Sequence, residues 1–261
     1  MSQGVVIALC LTKSAWTFNV FIRLTGHETD SVSGSILGGF SQLKSTYFNS
    51  VNTSNNNEYE FAGINNLEIE VDASKVKIQE YDGSMIKVSS NWSTKIVNEN
   101  NTLIIEDNFN IFNLSNLNKK ITVYIPINYQ FNNVDINIDA GDFEAENIYA
   151  TDIEVSIDAG NFDTKKIIAT NLNVEVDAGK AAIDLLDCQN SNFDCDVGDI
   201  EAMMVGSEVD YSYDVSCDLG SVNIGNYKTA GLSDDYSFSG GMKKISVSCD
   251  AGDIDIKMEV Q

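Results

Sequence analysis

The stretch "VSIDAGNFD" at residues 155–163 alternates apolar and polar side chains, then breaks at Asp158-Ala159-Gly160. The phrase recurs as "INIDAGDFE" at 136–144, "VEVDAGKAA" at 174–182 and "VSCDAGDID" at 247–255. With the Asp of each phrase as origin, Asp139, Asp158, Asp177, Asp196, Asp218 and Asp250 form one series. The steps between them are 19, 19, 19, 22 and 32 residues, and Asp72 in "IEVDASKVKI" lies upstream as an outlier. A period near 20 with two-residue alternation inside it predicts a β-solenoid, each phrase turning one corner of a coil.

Aligning the copies sorts the side chains. Ile138, Ile157, Val176, Cys195, Cys217 and Cys249 precede the Asp, and Ile136, Val155, Val174, Phe193, Val215 and Val247 lie three before it. Ala140, Ala159, Ala178, Val197, Leu219 and Ala251 follow it, and Phe143, Phe162, Ala181, Ile200, Val222 and Ile254 lie four after it. All four columns are expected to point inward, with the intervening Asp, Asn, Ser, Glu and Thr outward. Cys195, Cys217 and Cys249 then read as small buried hydrophobes. Gly two positions after the Asp suggests a positive φ at the corner. Nineteen residues suit three short strands and tight turns, giving an all-β, single-stranded, three-sided parallel β-solenoid of about 19 residues per coil. The longer steps suggest loops, the largest at 226–241. Residues 64–130 read as degenerate coils of the same kind.

Composition excludes several functions. The net charge is −23, with Arg23 the only arginine and His27 the only histidine. A nucleic-acid binder needs a basic face, and a single histidine argues against a histidine metal site or a histidine-dependent catalytic triad. From Val134 onward there are 27 acidic against 7 basic residues, so the repeats carry the charge. Five cysteines without a C-x-x-C pair fit neither a zinc site nor a disulfide framework. Val5–Leu24 is long enough to span a bilayer, but Lys13 in its middle costs about 3 kcal/mol. The expected organisation is therefore a membrane anchor or leader at 1–25, a polar linker at 26–60 and the repeat domain at 61–261.

The alternating "ITVYIPINYQFNNVDINIDAGDFEAENI" followed by recurring D-A-G corners resembles a bacterial β-strand-repeat family of unknown function labelled "putative adhesin", related to autotransporter-adhesin head domains. The resemblance covers roughly residues 61–261. It implies a pectate-lyase-like solenoid, often behind a short N-terminal membrane segment, and it carries no agreed catalytic residues.

Two sets of residues are candidates for function. Asp139, Asp158, Asp177, Asp196, Asp218 and Asp250, stacked at about 4.8 Å, would repel one another. Each carboxylate is expected to accept a backbone N–H at its own corner, as in an Asx-turn. The alternative is Ca²⁺ binding; no other cofactor is expected. Tyr211, Tyr213, Tyr227, Tyr236 and Phe238 flank the late loops and form the expected binding face, since loops on one solenoid face often bind. The resulting expectation is a non-enzymatic binding module or scaffold at the cell envelope, attached through residues 5–24 and recognising a surface ligand or protein. The alternatives are a carbohydrate-active enzyme on the same fold, or an intracellular or envelope-stress accessory scaffold.

Overall fold

The computed structural model describes residues 7–10, 19–22, 58–92, 94–107, 119–230 and 234–259. The chain divides into two compact units, Met1–Leu43 and Lys44–Gln261. In the first, β1 (Ile7–Cys10) pairs antiparallel with β2 (Asn19–Ile22). Among the described residues no helix is long and apolar enough to cross a membrane. The rest of the expected leader at 1–25, and nearly all of the expected linker at 26–60, lie outside the described residues.

The second unit is all-β, and its centre follows the 19-residue period. The central strands are β10 (Gln130–Ile138), β11 (Asp142–Ile157), β12 (Asn161–Val176) and β13 (Lys180–Cys195). Each pairs in parallel with the next, so Ile136, Val155, Val174 and Phe193 lie side by side. The β11–β12 ladder is made in three runs, 142–145, 147–149 and 152–157. Alternation buries one residue in two, and each coil adds its buried side chains to a shared column. Phe143 and Phe162 stack within it at 5.2 Å between ring centroids. One coil cannot bury its own apolar face, so stacking is what stabilises it.

The corners depart from expectation in two ways. Ala140, Ala159, Ala178 and Ala251 are exposed, as are Val197 (68 %) and Leu219 (65 %). The turn interrupts the pleat, so the Asp and its successor both face solvent and the Gly faces inward. The corner glycines also lack positive φ; among the described residues only Gly63, Gly206 and Gly225 adopt it within their residue type. Glycine is needed for close approach instead. A Cβ on Gly179 would sit 2.2 Å from the Gly160 carbonyl oxygen and 2.5 Å from Ile157 Cγ2.

The ends of the stack break sequence order. Before the central coils come β3 (Glu58–Phe61), β4 (Asn66–Val71), β5 (Lys75–Tyr81), β6 (Ile86–Ser90), β7 (Lys95–Glu99), β8 (Thr102–Asp107) and β9 (Lys120–Pro126). β4 lies between β8 and β10, and β5 between β9 and β11. The first coil is therefore internal, and Asp72 is no outlier: Ala140 N–H donates to its carbonyl at 3.1 Å. β3, β6 and β7 run antiparallel to their partners, so "SMIKVSSN" is not a coil.

The other end repeats the device. After β14 (Asp199–Val205) and a 3₁₀ turn at Glu208–Asp210 come β15 (Tyr211–Cys217), β16 (Ser221–Ile224), β17 (Tyr227–Ala230), β18 (Asp234–Phe238), β19 (Lys243–Cys249) and β20 (Asp253–Glu259). β19 inserts between β13 and β15, and β20 between β14 and β16. The coils thus stack in the order Asp196, Asp250, Asp218. Residues 226–241 are not simply a loop, because β17 and β18 pair antiparallel with β16 and β15. The sheet is therefore mixed: a parallel centre closed by antiparallel strands. These outermost strands are short and carry charges such as Asp234 and Asp235, which discourages edge-to-edge association.

Gly179→Ala is expected to destabilise the protein by about 1–3 kcal/mol, because neither backbone nor branched side chain can retreat. Asp177→Asn, two residues away and exposed, is expected to stay within about 0.5 kcal/mol. Thermal unfolding followed by circular dichroism reads both.

Candidate functional site

Outward-facing positions in the parallel ladders fall into rows. One row is Asn133, Asp152, Asn171, Asn190, Lys244 and Ser212, six successive coils in register. Two residues on, a second row is Asp135, Glu154, Asn173, Asn192, Ser246 and Asp214. Between them lies a groove of about 730 Å³ whose floor includes Val134, Ile153, Leu172 and Ile245. Strand alternation alone builds it, since two outward residues flank each inward one.

The rows are cross-linked along the stack. Asn171 Nδ2 donates to Asp152 Oδ1 at 2.6 Å, and Asn190 Nδ2 donates to Asn171 Oδ1 at 2.8 Å. In the second row Asn192 Nδ2 donates to Asn173 Oδ1 at 2.7 Å. An amide has two donor hydrogens and two acceptor lone pairs. Asn171 uses one of each on its neighbours, leaving one N–H and one lone pair. The groove therefore presents fixed, half-satisfied amides.

The expected aromatic face is a different structure. Tyr211 and Tyr213 are only 0 % and 2 % exposed, because they share the inward parity of Val215 and Cys217. Tyr211 Oη donates to the Val205 carbonyl at 2.6 Å, and Tyr213 Oη to Glu208 Oε1 at 2.9 Å. Phe238 stacks on Tyr213 at 4.9 Å, and Tyr236 stacks on Tyr227 at 4.1 Å. All but Tyr211 thus join in one cluster at the end of the stack, where Tyr236 remains 37 % exposed. The cluster packs strands β17 and β18 onto the outermost coil, that of β15 and β16.

The six column aspartates are aligned but do not converge. Their neighbours' backbones set the row: Ala159 N–H donates to the Asp139 carbonyl at 2.8 Å, and Leu219 N–H to that of Asp250 at 2.7 Å. All six are exposed, and among the described residues no three acidic, Cys or His side chains gather as a metal-binding group. No Asx-turn bond forms at these corners within the described residues. Solvent relieves the repulsion instead, since it holds each neighbour term to about 1 kcal/mol. Burial, then the Asp72 and Asp158 carboxylates, push the Asp139 carboxyl up.

The cysteines are quiet. Cys188, Cys195, Cys217 and Cys249 are buried free thiols. Burial pushes Cys195 up to about 11. Burial, then neighbouring Cys217 and Cys195, push Cys249 up to about 12. At these two residues the reactive thiolate is therefore scarce at neutral pH.

The groove escaped the sequence reading although its signal was present. Asn or an acidic residue recurs in "NVDINID", "DIEVSID", "NLNVEVD" and "NSNFDCD" at the same two places of each coil. Those columns were expected outside, but alternation alone does not show that two of them border a groove.

The titrations carry a sign. Asp139, Asp163 and Glu70 have raised pKa values, each chiefly from burial, so their ionised forms oppose folding. Hydrogen bonds from Ser207 lower the Asp210 carboxyl. For Glu208, partial burial acts against ionisation, but hydrogen bonds from Tyr213 and Asn226 outweigh it and lower the carboxyl. Raised carboxyls add stability as pH falls through their folded pKa; lowered ones lose it below the unfolded pKa. As the pH falls from 7 into the ordinary carboxylate range, about 5 to 4, the melting temperature at constant ionic strength is expected to rise, and below that range to fall. A melting temperature that falls throughout the descent from pH 7 would contradict this assignment.

Residues 64–201 match the family model Toastrack DUF4097. That is just over half of the chain, which belongs to this family. A search of curated proteins finds no match. Among solved structures, a "putative cell adhesion protein" from Clostridium sporogenes is 15% identical, with a TM-score of 0.43, over 76% of this chain and 94% of that one. A "putative lipid binding protein" from Parabacteroides distasonis is 14% identical, with a TM-score of 0.38, over 80% and 96%. A "putative adhesin" from Bacteroides fragilis is 10% identical, with a TM-score of 0.32, over 76% and 94%.

Proposed function

We propose that this Toastrack DUF4097 protein is a non-enzymatic binding module of the bacterial cell envelope or surface, with the amide-lined groove as its recognition face. The observation that carries the reading is the groove itself. It crosses six coils without interruption, and its polar side chains recur from coil to coil. Such a surface suits an extended ligand gripped by many equivalent contacts. Catalysis needs a unique constellation of groups, whereas the groove offers near-equivalent positions along its length. We read the central coils as a three-sided parallel solenoid, which the three pairing runs per coil support. Attachment through residues 5–24 belongs to the same proposal.

Labelled full-length chain should bind isolated bacterial envelopes saturably and release no soluble product. Asn171→Arg with Asn190→Arg fills the first row with long side chains and should weaken binding about tenfold or more, with the fold retained by circular dichroism. Equal binding by the folded variant, or turnover of envelope material, would overturn the reading.

A further inference from the structure

The ligand class can be argued from the groove, on the premise that the groove is the recognition face. Its rows carry Asp135, Asp152, Glu154 and Asp214 against the single cation Lys244. That field repels nucleic acids, phosphate-linked polymers and uronate chains. A peptide strand has no place to add, because the floor strands are hydrogen-bonded on both sides. Recognition must come from side chains standing above a closed sheet.

Those side chains are mainly amides and hydroxyls. Asn171 is locked between Asp152 and Asn190, and Asn173 is tied to Asn192, so little side-chain freedom is lost when a ligand arrives. Each amide's unused N–H and lone pair match a hydroxyl group, which both donates and accepts. The coils repeat at the strand spacing of about 4.8 Å, over roughly 24 Å for six coils, and the two adjacent coils of Asn171 and Asn190 carry amides in both rows. The floor is backbone between the rows, since Val134, Ile153, Leu172, Ser191 and Ile245 turn their side chains into the core, so the contacts that hold a ligand come from the two rows.

We propose that the groove binds an uncharged, hydroxyl-rich polymer, a neutral glycan lying along the stack axis across the Asn171–Asn190 and Asn173–Asn192 pairs. Binding rests on many neutral hydrogen bonds and is therefore insensitive to salt.

The test uses full-length protein and isothermal titration calorimetry. The probes are hexamers of β-1,4-linked glucose, β-1,4-linked mannose and β-1,4-linked N-acetylglucosamine, with hexagalacturonate and hexalysine as charged comparators. Saturable binding of one neutral hexamer is expected, changing less than twofold with salt. Asn173→Ala with Asn192→Ala should weaken it about tenfold while leaving the melting temperature within a few degrees. If that variant misfolds, Ser246→Arg, which obstructs the same row from an exposed position, replaces it. Binding of hexalysine alone, abolished by salt, would overturn the glycan assignment in favour of a basic partner. If no hexamer binds while the arginine variants still abolish envelope binding, the glycan assignment falls and the groove reading stands. Glycan binding unchanged by both row variants would overturn both.

Discussion

At each corner of the repeat, a glycine carbonyl accepts the N–H of the residue that follows the glycine of the adjacent coil. Asn161, Lys180 and Asp199 donate in this way to Gly141, Gly160 and Gly179, each at 3.0 Å. Ser221 and Asp253 make the same bond to Gly252 and Gly198, again at 3.0 Å. This contact leaves no room for a Cβ and holds the corners in one line. With the corners fixed, the pleat decides the rest: alternate residues join the core, and the others form rows along the outside. The groove follows from that repetition, and so does the exposed aspartate column.

A repeat that can stack on itself must also stop. Here the chain inserts its first and last coils into the stack and places strands from intervening segments outside them. The last coil is hydrogen-bonded on both sides, to β13 and β15 through β19, and to β14 and β16 through β20. The outermost positions go to short antiparallel strands, and at one end the Tyr213, Tyr227, Tyr236 and Phe238 cluster packs them down. The charge on these strands and the aromatic cluster serve the same purpose, which is to end a parallel sheet in a short, charged edge.

The central coils were legible in the sequence because identical spacing and identical parity recur in "INIDAG", "VSIDAG" and "VEVDAG". The stacking order of the end coils was not. Cys195, Cys217 and Cys249 share one inward column, and any order of the three satisfies the same alternation. Parity did place Tyr211 and Tyr213 inside, next to Val215 and Cys217, but their nearness to a polar segment suggested a surface. The corner residues Val197 and Leu219 misled for the opposite reason: they are apolar, yet the turn suspends the alternation that would have buried them. The groove depends on two rows seen together, and a single coil shows only one residue of each.

The order of the coils is the central claim, and paired cysteines test it directly. Asn192 and Ser246 are in register on adjacent coils, whereas Asp214 lies one coil further out. Cys188, Cys195, Cys217 and Cys249 are buried and do not compete, and Cys10→Ser removes the remaining native thiol from both variants. Under mild oxidation, Asn192→Cys with Ser246→Cys should form an intramolecular disulfide, because registered neighbours about 4.8 Å apart fall within reach. Asn192→Cys with Asp214→Cys, about twice as far apart, should not. Efficient bridging of 192 to 214, with none of 192 to 246, would show that the coils stack in sequence order and would contradict the account.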